Sequence, residues 1–233
     1  MKQLIYILFI FYSISGVAQN YADKEYYLID SLIIEELSSE DINLLDSCLK
    51  LYHSVEHDTA KIGAIDIVCK KLMHYDWFKY QIFQYQKIKE GLNNSKSEEE
   101  TNTFKNYLIG ASYNMGIIYS QNGNITKSLE HYYEALVVSE ELNDENTIAK
   151  SLTNIGMIHY SQGDTLKAMN SYSKAMKISE KNNQHINVIY IFERLSHAHF
   201  DRKEYKKSVE YSLKAKHLSL SLIHISEPTR PLT

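Results

Sequence analysis

The chain has 233 residues, 44% of them hydrophobic and 23% charged, with a formal charge of −4 and a sequence pI near 6.2. That balance excludes an intrinsically disordered segment, and the absence of a strong basic excess excludes a dedicated nucleic-acid surface. Nineteen tyrosines against seven phenylalanines suit thin, half-exposed helices, because a tyrosine ring can be buried while its hydroxyl stays near water.

Residues 1–18 open with Lys2, an apolar run too short to span a membrane, and the small residues Gly16, Val17 and Ala18. This is the order of a secretory signal peptide, so the chain is expected to be exported, to the periplasm. No cysteine lies near the cut, so no lipid anchor is expected. Residues 19–57 predict a helical pair, Asp23–Leu37 and Asp41–Val55, joined by a link that offers a capping serine. An exported chain permits a disulfide between Cys48 and Cys69. Each also sits in an apolar helical pattern that suits a buried free thiol, and both alternatives stand. His53 and His57 are four apart, a spacing that could chelate a metal, but no third convergent ligand is apparent and no metal is expected.

Residues 58–99 predict a second, degenerate pair. "HDTAKIGAIDIVCKKLMHY" is its first helix, capped by Asp58 or Thr59, and "DWFKYQIFQYQKIKEGL" its second, closing near Gly91. In the polar link that follows, Ser97 and Glu100 have capping-box spacing.

Residues 100–219 repeat themselves. "YNMGIIYSQNGNITKSLEHYYEALVVSEE" from Tyr113 aligns without gaps on "TNIGMIHYSQGDTLKAMNSYSKAMKISEK" from Thr153, an offset of 40 residues. Asn114 meets Asn154, Gly116 meets Gly156, Gly123 meets Gly163, Tyr132 meets Tyr172 and Ala135 meets Ala175. A third step reaches Arg194, Leu195 and Ser196, with Ser212 where the others have tyrosine. Gly123 and Gly163 should end the first helix of each unit, with Asn124 and Asp164 opening the second. One such unit cannot bury its apolar face alone, so units must stack.

The series "MGIIY" and "IGMIH", followed by Ser128, Tyr132, Ala135 and by Ala168, Tyr172, Ala175, resembles the tetratricopeptide repeat. The resemblance implies an all-α fold, a right-handed superhelical stack of antiparallel helix pairs. It also implies a non-catalytic scaffold that takes a protein or peptide ligand in a concave groove lined by the first helix of each pair. Tyr113, Asn114, Ile117, Lys150, Asn154, Met157, Arg194 and His197 are the groove positions implied. In some family members such asparagines and cations hold a peptide's C-terminal carboxylate, although here Gly110 and Tyr190 replace two of the cations. No nucleophile motif, phosphate loop or paired metal motif is present, so neither catalysis nor a cofactor is expected. His197 and His199 point to nearly opposite sides of a helix, and His159 and His199 occupy an aromatic position of the repeat.

The last stretch, "SLIHISEPTRPLT", holds both prolines of the chain. Reverse translation of Leu220–Arg230 resembles the adapter left by transposon-based sequencing-library preparation. Residues 220–233 are therefore expected to be non-native, with the native chain continuing beyond Ser219. Signal peptides followed by such repeats are similar to the N-terminal sensory regions of membrane histidine kinases and helix-turn-helix regulators. Membrane attachment would come only through a missing C-terminal segment. The uncapped last helix, with Val209, Leu213 and Leu218, is expected to be exposed and to favour self-association.

Overall fold

The computed structural model describes residues 22–226, which form helices and their links with no strand among them. In chain order the helices are α1 (Lys24–Tyr27), α2 (Ser39–Ser54), α3 (Asp58–Lys71), α4 (Trp77–Asn94) and α5 (Glu98–Gln121). They continue with α6 (Ile125–Leu142), α7 (Glu145–Ser161), α8 (Thr165–Lys181), α9 (His185–Asp201) and α10 (Tyr205–Ser226). Each packs on its neighbour in sequence, from α2 through α10. The odd helices α3, α5, α7 and α9 also touch one another in succession. Closer approach within the odd layer makes it the inner side of the curve and leaves the even helices outside.

Glycine and tyrosine set the distance within each repeat. A Cβ on Gly116 would lie 2.6 Å from the ring of Tyr132, and one on Gly156 would lie 2.6 Å from Tyr172. Tyr172 is fully buried and Tyr132 almost so, and each such ring contributes about 1.5–3 kcal/mol by leaving water. In the third repeat both partners change together. Ser196 replaces the glycine and its hydroxyl meets that of Ser212 at 2.7 Å, so a polar contact fills the space of the missing ring.

The links follow the expected chemistry. Gly123 and Gly163 adopt left-handed φ values of +72° and +82°, where a side chain would be strained. Asn124 accepts from the Lys127 amide at 3.2 Å and Asp164 from the Lys167 amide at 3.1 Å. Ser38 caps α2 by accepting from the Asp41 amide at 3.1 Å. Ser97 accepts from the Glu100 amide at 3.1 Å, and Glu100 reaches back to the Lys96 amide at 2.8 Å.

Four expectations are corrected. The first helix of the 19–57 pair does not form: α1 stops after one turn, where Leu28 takes a left-handed φ of 67° and Ser31 one of 62°. From there the chain runs as an irregular strap to a 3-10 turn at Ile34–Glu36. Ile29, Leu32 and Leu37 are buried in a core shared with Leu45, Leu49, Val68 and Tyr80, so tertiary burial outweighs the helical periodicity. The residue preceding α3 is His57, which makes no side-chain cap; Asp58 is already helical. Gly91 does not close α4, which runs on to Asn94; it is a packing glycine whose Cβ would meet Phe104 at 2.3 Å. Finally, Val209 and Leu213 are exposed, but Leu218 packs on the core of α8 and α9.

The expected signal peptide, residues 1–18, lies outside the described residues, as do residues 227–233 of the expected tail. Helix α10 continues without a break through residues 220–226. Cys48 and Cys69 are both free thiols, and burial pushes the thiol of Cys69 well above its usual range. No described helix is long and apolar enough to cross a membrane.

Candidate binding cleft on the inner helices

A cleft of about 750 Å³ opens across the inner helices, between α5, α7 and the start of α9, with Leu222 of α10, a residue of the expected non-native stretch, at its edge. Its walls use the first half of α7 and α9 and the second half of α5. Asn146 and Lys150 of α7 are one turn apart, and Ile186 and Tyr190 of α9 repeat that spacing. Residues four apart share a helical face, so both pairs project into the same opening, with Tyr113 of α5 opposite. Ile186 is 81% exposed, an unusual position for isoleucine that provides apolar contact area at the rim.

The polar groups are held in place. Asn187 donates to the Ser179 hydroxyl at 2.7 Å, and that hydroxyl donates to Gln184 at 3.3 Å. Lys150 is exposed and makes no ion pair among the described residues. Arg194 lies deeper, its guanidinium 4.6 Å from the ring centroid of Tyr190, with Nε buried and lacking an acceptor among the described residues. The Tyr190 hydroxyl in turn points at Met157 Sδ, 3.5 Å away. Lys150 and the Tyr190 ring therefore share the cleft, with Arg194 behind that ring and outside the lining, and neither cation has a carboxylate partner among the described residues.

Of the eight groove positions implied by the repeat pattern, Tyr113 and Lys150 line this cleft. Asn114 instead donates to Gln81 of α4 at 2.7 Å, and Asn154 donates to the Tyr113 hydroxyl at 3.1 Å. Both amides thus join helices. Burial pushes the Tyr113 phenol above its ordinary value, with the Asn154 bond opposing. Ile117 and Met157 are half-buried in the packing between successive repeats. His197 is exposed on the last inner helix, beyond the cleft. Asn146, Ile186 and Asn187 were not anticipated. The signal for them was present one to two turns before the repeat's asparagine, where Ile186 breaks a column otherwise filled by Asn106 and Asn146.

His53, His57 and His199 have structural partners. His53 Nε2 bonds the Tyr26 carbonyl at 2.9 Å and His57 Nδ1 bonds the Thr59 hydroxyl at 2.8 Å. His199 is buried, stacked 5.3 Å from Tyr211, and meets Glu204 at 2.9 Å. Three partners, Arg202 first, then Lys207 and His199, hold the Glu204 carboxyl down at about 2.

Beside the cleft runs a polar ladder that joins three helices. Asn114 donates to Gln81, Gln81 to Gln84 at 2.8 Å, and Gln84 to Asp66 at 3.2 Å. Gln81 and Gln84 are almost wholly buried, so each amide needs these partners.

Comparison with known proteins agrees with this architecture. Residues 107–181 match the tetratricopeptide repeat family. No curated protein matches the chain. Among solved structures, the chain is similar to the crystal structure of BtubC (BKLC) from P. vanneervenii. The two are 15% identical with a TM-score of 0.61, covering 84% of this chain and 78% of that one. At that identity the likeness concerns the fold alone.

Proposed function

From the premise that the chain carries tetratricopeptide repeats, we infer that it is an exported, non-catalytic scaffold whose inner cleft holds a peptide or a segment of another protein. Repeats of this family imply a protein-interaction scaffold. The observation that carries the finer reading is the cleft itself, with exposed Ile186 and Tyr190 beside the exposed cation Lys150, which has no ion pair among the described residues. An extended segment with an apolar side chain next to an acidic one matches those walls, because apolar area supplies affinity and Lys150 supplies orientation. Export rests on the signal-like residues 1–18.

A peptide array probed with the intact chain and with Lys150→Glu and Ile186→Asp variants tests the assignment. Binding to apolar-acidic peptides should drop about tenfold or more in each variant. Unchanged binding in both would reject the cleft as the site.

The leader sequence also favours a second reading, the sensory region of a membrane histidine kinase or of a helix-turn-helix regulator. Genomic sequence downstream of the codon for Ser219, read without an adapter-based library, decides it. A spanning segment followed by a kinase or DNA-binding domain supports the sensor, and an early stop codon rejects it.

A further inference from the structure

We propose that the cavity enclosed by α2, α3 and α4, remote from the inner cleft, is a binding site for a small free amino acid with an apolar side chain. The cavity measures about 210 Å³. At about 30 Å³ per liquid water it holds the equivalent of about seven waters, and it falls below the roughly 300–1,000 Å³ of sites for drug-sized ligands. A nucleotide or a folded segment is too large, whereas a free amino acid is of the right size.

The floor is apolar. Ile62 and Ile65 are buried beneath it, and the rings of Tyr52 and Phe83 stand 6.2 Å apart at 60°. This floor suits an aliphatic, thioether or phenyl side chain, while Asp58, Gln84 and Asn94 add polar atoms elsewhere in the lining.

The rim carries both signs of charge. Lys61 Nζ lies 6.0 Å from the Tyr52 ring centroid, and Lys87 Nζ lies 5.9 Å from that of Phe83. Among the described residues Lys61 has only a loose partner, Asp58 at 4.0 Å, so its ammonium has room for a second carboxylate. Lys87 is tied to Glu90 through Oε2 at 2.6 Å, which leaves Glu90 Oε1 without a bond among the described residues. A purely anionic ligand would face Glu90, and a purely cationic one would face Lys61. A zwitterion satisfies both, placing its carboxylate at Lys61 and its ammonium at Glu90 while its side chain covers the rings.

Isothermal titration of the intact chain with L-leucine, L-methionine and L-phenylalanine tests the site. At least one should bind saturably with one-to-one stoichiometry. N-acetyl-L-leucine and L-leucinamide, each lacking one charge, should bind about tenfold or more weakly than L-leucine. Lys61→Gln and Glu90→Gln should each weaken binding by a similar factor with an unchanged melting temperature, since both side chains reach solvent. Phe83→Leu, which keeps the core apolar, should weaken L-phenylalanine more than L-leucine. The proposal is overturned by the absence of saturable heat for all three amino acids up to about 10 mM. It is equally overturned by binding that ignores acetylation and amidation, or that both charge variants retain.

Discussion

At Gly156 the space for a methyl group is already taken by Tyr172 and, at 3.2 Å, by the backbone oxygen of Ala168. Gly156→Ala should therefore cost about 1–3 kcal/mol in urea unfolding, the usual penalty of overpacking. Gly110 faces open space on the same layer of helices, so Gly110→Ala should stabilise by about 0.5–1 kcal/mol through helix propensity alone. One substitution thus changes sign between two glycines of one repeat pattern. Glu134 offers a second test at this scale. Burial alone would raise its pKa, but bonds from His131, Lys89, Ser112 and Tyr85 outweigh it and hold the carboxyl well below the usual range. The stabilisation is fully present above the unfolded value of about 4.3 and is lost as pH falls through the depressed folded value. The stability advantage of wild type over Glu134→Gln should shrink as urea melts are repeated from about pH 5 downwards. A difference independent of pH would show that the carboxylate is not favoured in the folded state.

Between helices, the third repeat shows how a pattern can change while the packing persists. Ser196 and Ser212 occupy the positions that hold glycine and tyrosine in the other two copies. Ser212→Tyr alone should destabilise, because the ring would meet the Ser196 side chain. Adding Ser196→Gly should recover much of the loss, and a double-mutant cycle by chemical denaturation should give a coupling of about 1–3 kcal/mol. The caps are simpler: Asp164→Ala should cost about 1 kcal/mol by leaving the start of α8 without its acceptor. These elements were readable in the amino-acid order because their causes are local, namely small residues at contact points, left-handed glycines and side-chain caps. Residues 23–37 were misread because their apolar spacing fits a helix, while the burial that unwinds them comes from α2, α3 and α4. The cleft was read in part for a similar reason. Lys150 and Tyr113 lay on named columns, whereas the inward rotation of Asn146 and Ile186 depends on how neighbouring repeats tilt, which one repeat aligned on another does not encode.

Over the whole stack, stability comes from each repeat and its nearest neighbours. The pairs α5–α6 and α7–α8 are flanked on both sides, whereas the outer surface of α10 leaves Tyr205, Val209 and Leu213 about half exposed. Hydrogen exchange should therefore be slowest in the amides of α5 to α8 and faster in α10. We propose that the same surface drives self-association. Light scattering should show mass rising with concentration, and Val209→Lys with Leu213→Lys should suppress the rise. Equal behaviour of wild type and variant would remove that surface from consideration.

The turn built from a left-handed glycine followed by an asparagine or aspartate recurs 40 residues apart, at Gly123–Asn124 and Gly163–Asp164. Because both turns leave their helices in the same geometry, the DNA between them is a self-contained cassette. Duplicating residues 124–163 in frame should lengthen the array by one repeat while leaving the contacts at either end as they are. Growth or loss of reach by whole units kept in register is thus written into two turns, and the length of the array can change without a new fold having to be found.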